Sequence, residues 1–333
     1  MPDLRTTVTE LVTGLGTLGF GSIDEVLRSR PAEMVSVAPE DWEILRRAHV
    51  GGALAREFRL AWANGQAFLT ATDGLRGRRP VVVEWKGSHR APGDEVAPVD
   101  LRIDHVFLVS CKYLSKIMIN ASPGHVFDRL LQGGHGVRGG NWFEEVAGEA
   151  YQGLYAAVRT ELGCSELPAA ATDLGPADRK WLAGSLRGGW PGPSGHLYRE
   201  LAGTVAEVSA RRWRARLGSP ADAEAMLWRI LRMGSAPYFV LGASPAEPLR
   251  IRVATPWDWR LNHRLKGFHC QPEAGGQPRV RWTADVEDRH SAEVREVRGH
   301  VEIRWSHGRF GGNPEAKVYL DTPHGAVPGY YPL

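Results

Sequence analysis

The chain has 333 residues, which is long for a single core and sufficient for two or three domains. Hydrophobic residues make up 43% of it and charged residues 24%, ordinary proportions that exclude a disordered, collagen-like or coiled-coil protein. Lys and Arg number 41 against 38 Asp and Glu, and a net charge of +3 does not indicate nucleic-acid binding unless the basic residues are concentrated locally.

The first predicted elements are helices followed by strands. Residues 1–48 are predicted to form helical pieces that serve packing. Hydrophobic residues recur at helical spacing over 53–64, and Glu57 lies beside that buried face. β-Branched and aromatic residues punctuated by glycine or proline predict extended segments at 67–72, 80–87, 99–103 and 106–113. The order of helix, strands and a further helix is typical of a compact α/β unit.

The later elements are helices and then short strands. Ser122-Pro123 opens an amphipathic helix that extends through Leu131, and a glycine-rich stretch at 133–140 follows it. Further helices are predicted at 142–161, 197–217 and 221–233, with a loop-like stretch at 163–195. From residue 236 the pattern changes to strands separated by turns, at 238–241, 249–255, 280–286, 300–306 and 316–320.

These elements predict a mixed α/β protein in four consecutive sections. The sections are an N-terminal helical segment (1–50), an α/β core (51–135), a mainly helical section (136–235) and a β-rich domain with many Arg and Trp residues (236–333). The C-terminal domain is the expected recognition domain, because the basic residues concentrate in the second half of the chain.

Cysteine usage and hydropathy indicate the compartment. Cys111, Cys164 and Cys270 are widely separated and lack C-x-x-C spacing, so free thiols are expected rather than disulfides or a thiolate zinc site. The sequence has no apolar run long enough to span a bilayer, and its first residues lack the pattern of a signal peptide. We therefore expect a cytoplasmic protein that makes no membrane contact.

Two charged segments have the spacing that metal-dependent phosphodiester hydrolysis requires. This chemistry uses carboxylate ligands for a hard divalent ion and a cation beside the attacking water or the phosphate. Alternate residues of a strand share a face, so a carboxylate and a lysine two residues apart point the same way. Glu84-Trp85-Lys86 has this spacing, and so does Ser110-Cys111-Lys112, with serine in place of the carboxylate.

The stretch Pro98-Val99-Asp100, followed nine residues later by Ser110-Cys111-Lys112, resembles the signature of the PD-(D/E)xK restriction-endonuclease-like superfamily. Over about 50–135 the resemblance implies a restriction-endonuclease-like mixed sheet flanked by helices. It implies a metal-dependent endonuclease that hydrolyses DNA, or RNA as the alternative, in restriction or anti-phage defence. A homodimer or a partner subunit of a defence system would fit such a role.

The same resemblance implies a role for each site residue. Asp100 and Glu84, with Glu57 from the preceding helix, would bind Mg²⁺ or Mn²⁺. Lys112 would orient the attacking water or help to deprotonate it. Ser110 stands where the family has an acidic residue, so it would be a hydrogen-bonding group, and Glu84 on the neighbouring strand would supply the missing carboxylate.

The register of one hairpin decides whether this site forms. A three-residue loop of Asp104-His105-Val106 pairs Ile103 with Phe107 and places Asp100 opposite Ser110, on the face of Lys112. A two-residue loop of Asp104-His105 pairs Asp100 with Val109 and turns it away from Lys112. A single unbroken strand over 99–113 separates Asp100 from Ser110 by about 33 Å.

Other interpretations remain open at this stage. Asp73 followed by Glu84-Trp85-Lys86 is a second assignment of the motif, and Glu315-Ala316-Lys317 is a decoy with the same spacing. The serine at position 110 favours a non-catalytic nucleic-acid- or protein-binding module on a decayed nuclease fold. A purely structural sheet over 80–113 is a third possibility, which a structure with Asp100, Glu84 and Lys112 on different faces would support.

Candidate DNA contacts lie on a predicted helix and on a loop. Arg211, Arg212 and Arg214 are candidates to grip phosphates, while Trp213 stacks on a base or packs inward. Arg309 lies in a glycine-rich loop between two strands, which either enters a groove of the DNA or is a plain hairpin loop.

Overall fold

The computed structural model describes residues 3–87, 99–113, 117–131, 140–234, 237–243, 248–273 and 276–333. Pro98 of the motif and almost all of the glycine-rich stretch at 133–140 lie outside these residues. The chain forms two compact units, each assembled from separated segments. The first unit contains Met1–Lys116, Arg232–His263 and His324–Leu333, and the second contains Ile117–Leu231 and Arg264–Pro323. The units therefore interleave along the chain, whereas the four predicted sections are consecutive.

The helices and strands alternate irregularly along the chain. The helices are α1 (Leu4–Gly16), α2 (Ile23–Ser29), α3 (Pro39–Val50), α4 (Ala55–Thr70), α5 (Trp142–Glu161), α6 (Pro176–Ser185), α7 (Ser194–Arg216), α8 (Pro220–Ile230) and α9 (Pro256–Asn262). The strands are β1 (Met34–Val35), β2 (Val83–Trp85), β3 (Leu101–Ile103), β4 (Phe107–Tyr113), β5 (Ile117–Ala121), β6 (Tyr238–Ala243), β7 (Pro248–Val253), β8 (His263–Glu273), β9 (Arg279–Asp288), β10 (Val294–Arg304), β11 (Glu315–Leu320) and β12 (Tyr330–Pro332).

A mixed seven-stranded sheet forms the centre of the first unit, with strand order β1-β2-β3-β4-β6-β7-β12. Strands β2, β3 and β4 form an antiparallel meander. Strand β6 then pairs with β4 in parallel, although all of residues 117–231 lie between them in the chain. The sheet is completed by antiparallel pairing of β7 with β6 and of β12 with β7.

Helices α1 and α4 cover one face of this sheet. They approach each other closely at Gly16 of α1 and Gly65 of α4. A Cβ on Gly65 would lie 2.2 Å from the carbonyl oxygen of Thr13, so only glycine allows this approach. Phe68 of α4 packs against Phe107 and Phe239 of the sheet, with ring centroids 5.6 and 4.9 Å away. The strand predicted at 67–72 is therefore wrong: Phe68 continues the buried helical spacing of α4.

The second unit is built on an antiparallel five-stranded sheet with strand order β5-β11-β10-β9-β8. Four tryptophans of the chain are fully buried, among them Trp142, Trp213 and Trp282 of this unit, as expected for core residues. The helix expected at 122–131 is present and contains a π-helical turn, His125–Arg129. The loop-like stretch predicted at 163–195 is wrong in part, because it contains α6, which begins with Pro176 at its first position.

None of the helices that the structure describes is both long enough and apolar enough to cross a lipid bilayer.

Candidate functional site

The hairpin between β3 and β4 has the three-residue loop Asp104–Val106. Ile103 pairs with Phe107 and Leu101 pairs with Val109. Asp104 and His105 have left-handed backbone conformations, with φ of 49° and 58°, which aspartate and histidine tolerate better than most residues. The Asp104 carboxylate also accepts hydrogen bonds from the backbone N–H groups of Val81 and Val82, at 2.7 and 3.1 Å. The register that assembles the predicted site is thus confirmed, and the loop residues themselves stabilise it.

Asp100 lies against Ser110, as this register requires. The Ser110 hydroxyl donates to Oδ2 of Asp100 at 3.2 Å, and the backbone N–H of Cys111 donates to the same oxygen at 2.5 Å. The Asp100 backbone is held as well, because its N–H donates to Val109 and its carbonyl accepts the N–H of Lys86. Ser110 is completely buried. The Asp100 carboxylate therefore has a fixed position between β2 and β4.

One face of the sheet collects the charged residues of these three strands. Glu84 pairs with Arg102, and side chains alternate along each strand, so the residues that share this face follow from the register. They are Glu84, Lys86, Asp100, Arg102, Ser110 and Lys112, and we call this set the charged face. The alternate residues Val83, Trp85, Leu101, Ile103 and Val109 are buried in the core on the opposite face. Asp100, Glu84 and Lys112 thus share one face, and the different faces that would have supported a purely structural sheet are not observed.

Glu84 sits between two cations on the charged face. Its Oε1 lies 3.1 Å from Nζ of Lys86, and its Oε2 lies 3.8 Å from a terminal nitrogen of Arg102. The Lys86 side chain is only 9% exposed, so its ammonium depends on this carboxylate for compensation. With Lys112, the face carries three cations and two carboxylates, an excess of positive charge that favours an anionic phosphodiester.

The carboxylates of Asp100 and Glu84 form a small donor set for a divalent ion. As diagonal neighbours on adjacent strands, their Cα atoms are expected to be about 7–8 Å apart. No group of three or more His, Cys, Asp or Glu suited to a metal occurs among the described residues. Magnesium is commonly held by one or two carboxylates, with water and substrate phosphate completing its shell. The pair fits this mode of binding, but it does not form an all-protein cage.

Glu57 is not brought to the charged face. It lies in the first turn of α4, on the opposite side of the sheet, and its Oε1 is 2.5 Å from a terminal nitrogen of Arg5. Burial, the largest single influence, raises the pKa of Glu57, but the hydrogen bond from Arg5, a backbone hydrogen bond and the charges of Arg5 and Arg56 together lower it below its ordinary value. Glu57 therefore joins α4 to α1, which corrects its predicted assignment as a metal ligand.

The alternative motif is not assembled either. Asp73 follows α4, and its Oδ2 lies 3.1 Å from Nε of Arg252 on β7. Strands β3, β4 and β6 separate β7 from the strand that carries Glu84. The decoy pair Glu315 and Lys317 lies on β11 of the second unit and forms its own ion pair at 3.8 Å.

A buried polar network, which was not predicted, supports β4 from behind the charged face. Asn64 of α4 donates to the Tyr113 hydroxyl at 3.0 Å and to the Gly242 carbonyl at 2.9 Å, and it accepts Nε–H of Arg250 at 2.9 Å. The Tyr113 hydroxyl also lies 3.0 Å from the hydroxyl of Thr13. Burial raises the pKa of Tyr113, so the phenol stays protonated. The network fixes the end of β4 next to Lys112, and the only sequence signal was a polar residue at an apolar helical position.

Two of the predicted DNA contacts are structural residues. Trp213 is fully buried, packs against Phe127 and Phe268, and is not available to stack on a base. Arg212 contacts the carboxylates of Asp128 and Glu145 at 3.0 and 2.5 Å. Burial disfavours the charged form, yet these carboxylates raise the pKa of Arg212. Arg212 is therefore already neutralised within the second unit.

The remaining predicted contacts differ in exposure. Arg211 and Arg214 are exposed on α7, so both are accessible for the predicted contact with phosphates. Arg309 donates to the backbone carbonyl of Leu186, and its guanidinium lies over the ring of Trp190 at 4.7 Å. Arg309 therefore fastens its loop to the rest of the unit instead of extending from it.

Comparison with known protein families, with curated proteins and with solved structures finds no match to this chain. The fold defines a mixed α/β protein with one mixed and one antiparallel sheet, and the charged face is the basis for a functional assignment.

Proposed function

We propose that this protein is a metal-dependent endonuclease of the restriction-endonuclease-like class, which hydrolyses phosphodiester bonds of DNA at the charged face. The contact between Asp100 and Ser110 supports this proposal most directly, since it fixes the register that places Asp100 on the face of Glu84 and Lys112. The required types of side chain, two carboxylates and a lysine, are thereby gathered on neighbouring strands. A role in restriction or anti-phage defence, a cytoplasmic location and assembly with a second subunit extend the same proposal.

Each residue of the charged face has a distinct part in this chemistry. Asp100 and Glu84 would hold Mg²⁺ or Mn²⁺, which supplies Lewis acidity and activation of water when bound. Lys112 orients the attacking water and helps to remove its proton as the new phosphorus–oxygen bond forms. Ser110 donates to Asp100 and orients that carboxylate, while Lys86 and Arg102 hold Glu84.

Cleavage of plasmid DNA in the presence of Mg²⁺ or Mn²⁺ tests the proposal. We expect wild type to cleave and Lys112→Ala to lose about 100-fold or more of the rate, the usual size of a proton-transfer contribution. Lys317→Ala is the control, because Lys317 is also a strand lysine and belongs to the decoy Glu315-Ala316-Lys317 on β11, outside the charged face. Equal activity of wild type and Lys112→Ala, or no cleavage of any DNA by wild type, contradicts the proposal.

A non-catalytic nucleic-acid- or protein-binding module is the second candidate function. It is favoured by the serine at position 110 and by the two hydrogen bonds that Oδ2 of Asp100 already accepts from Ser110 and Cys111. Such a module binds its partner equally well with and without divalent ions and leaves DNA intact. Binding of labelled DNA with no cleavage, unchanged by Lys112→Ala, would identify this function.

A further inference from the structure

The second unit contains a pocket of about 470 Å³ between α6 and the loop that joins β10 to β11. Three basic side chains line it: Lys180 in α6, Arg187 just beyond the end of that helix, and His307 in the loop. The remaining lining residues are glycine, alanine or proline. The wall therefore carries basic groups and no carboxylate.

Glycines allow the loop to approach α6 so closely. Gly308 has a φ of +90°, and a Cβ there would lie 2.9 Å from Cβ of Ala183. A Cβ on Gly311 would lie 2.4 Å from the carbonyl oxygen of His307. Between them, Phe310 is fully buried and packs on Tyr155 and Trp305. With the contacts of Arg309, this packing holds the loop that carries His307 against the rest of the unit.

The three basic side chains differ from several other cations of the same unit. Lys180, Arg187 and His307 are exposed, and none of them forms an ion pair with a residue in the described parts of the chain. Arg264 and Arg281, in contrast, each lie within 2.7 Å of a carboxylate oxygen. Cations gathered around a concave surface without carboxylates create a local positive potential that an anion can neutralise.

We propose that this pocket binds a phosphate group. Arg187 offers a planar set of N–H donors that matches phosphate oxygens, and Lys180 adds a compact positive charge. His307 donates a further N–H from the opposite wall. The backbone of DNA is the expected source of the phosphate, a choice that rests on the proposed nuclease function. Arg212 is paired with carboxylates and Arg309 fastens its own loop, so neither is available to DNA. The pocket then supplies part of the affinity for DNA in their place.

Fluorescence anisotropy of a short labelled DNA duplex, without divalent ions, tests the pocket separately from cleavage. We expect Lys180→Ala/Arg187→Ala to bind DNA about 10-fold more weakly than wild type and to reduce the salt dependence of binding by about two phosphate contacts. His307→Gln should weaken binding in the same direction. Arg295→Ala, at the other end of β10, removes one positive charge outside the pocket and should bind as wild type does. Wild-type affinity and salt dependence in the double variant would overturn the proposal.

Competition with inorganic phosphate and with a deoxynucleoside monophosphate distinguishes the sources of the phosphate. Displacement of DNA from wild type by these competitors supports a backbone phosphate in the pocket. Binding of inorganic phosphate to wild type but not to the double variant, with no DNA binding, supports a small phosphate ligand and removes DNA as the source. Binding of neither ligand overturns the proposal. If Lys112→Ala cleaves DNA normally while the pocket variant loses affinity, the nuclease assignment fails and the pocket stands.

Discussion

The hydroxyl of Ser110 donates to the carboxylate of Asp100 across the β3–β4 hairpin, at 3.2 Å, from a completely buried position. A serine can orient this carboxylate, but it adds no negative charge beside it. The charged face therefore has two carboxylates, whereas the signature that it resembles has an acidic residue at position 110 as well. If the face binds a divalent ion as proposed, the residue at position 110 affects how strongly it does so.

Ser110→Asp should make stability depend on divalent ions. Without metal, two adjacent carboxylates in a buried setting repel each other, so the melting temperature should fall below that of wild type. Added Mn²⁺ should raise it, and by more than in wild type, since a bound ion stabilises the folded state by mass action. Thermal melts with chelator and with Mn²⁺ measure this. Ser110→Asn is the neutral control, and an equal Mn²⁺ shift in both variants would contradict a metal site at the charged face.

The pair of Glu84 and Lys86 should be energetically coupled. Glu84→Gln leaves the Lys86 ammonium, 9% exposed, without its carboxylate, and should reduce the free energy of unfolding by about 1–3 kcal/mol. Lys86→Met in the same chain should recover part of that loss. Urea denaturation of a double-mutant cycle measures the coupling. The exposed pair Glu293 and Arg295 is the comparison and should show a much weaker coupling. Equal coupling in both pairs would be evidence against a special role for Lys86.

Asn64→Leu should destabilise the first unit strongly. The substitution keeps the size of the side chain but removes its hydrogen bonds to the Tyr113 hydroxyl, the buried Gly242 carbonyl and Nε of Arg250, and leaves Tyr113 with its contact to Thr13. We expect a loss of about 2–4 kcal/mol in the free energy of unfolding. Gln66→Ala, on an exposed position of the same helix, should change it by less than about 0.5 kcal/mol. Similar unfolding curves for the two variants would mean that the network does not stabilise β4.

Two Gly→Ala substitutions in helices should have opposite effects. Gly65→Ala places a Cβ 2.2 Å from the Thr13 carbonyl and should separate α4 from α1, at a cost of more than about 2 kcal/mol. Gly153→Ala in α5 meets no atom within 4 Å and should stabilise by about 0.5–1 kcal/mol. Chemical denaturation compares them, and a neutral Gly65→Ala would show that the two helices can move apart freely.

Cys270 should be unreactive in the folded protein. Burial raises the pKa of its thiol to about 12, so very little thiolate exists at neutral pH. The folded state holds this proton more tightly than the unfolded chain, so the stabilisation is complete below about pH 9 and is lost as the pH rises towards 12. Alkylation followed by peptide mapping should label Cys270 only after unfolding, and rapid labelling of the native protein would show that the site opens.

The sequence predicts those parts of the site that depend only on residues close together in the chain. The period of two along a strand and the length of the hairpin loop are local, so the sequence predicts that Asp100 faces Ser110 if the loop has three residues. The sequence alone does not decide between the two-residue and three-residue loops. The contacts that stabilise the three-residue loop join Asp104 to Val81 and Val82, more than twenty residues earlier. The same limit explains the strand wrongly predicted at 67–72, where tertiary packing of Phe68 extends a helix.

The roles of the charged side chains were the feature hardest to predict from the sequence. Arg212 is neutralised by Asp128 and Glu145, which precede it by 84 and 67 residues, and no periodicity connects such positions. Glu57 has the position in the sequence that is expected of a metal ligand, yet it forms an ion pair with Arg5 between α4 and α1. Whether a charged side chain serves a ligand or the fold depends on such distant partners.

The parallel pairing of β4 with β6 also determines when the charged face can form during folding. Lys112 lies on β4, whose second neighbour strand is synthesised only after residues 117–231. Until then β4 is a sheet edge with unpaired N–H and C=O groups, a surface that invites pairing with other chains. Long-range pairing of this kind also slows folding. A fragment that ends before β6 should therefore aggregate, and the first unit should become soluble only when its three separated segments are present together.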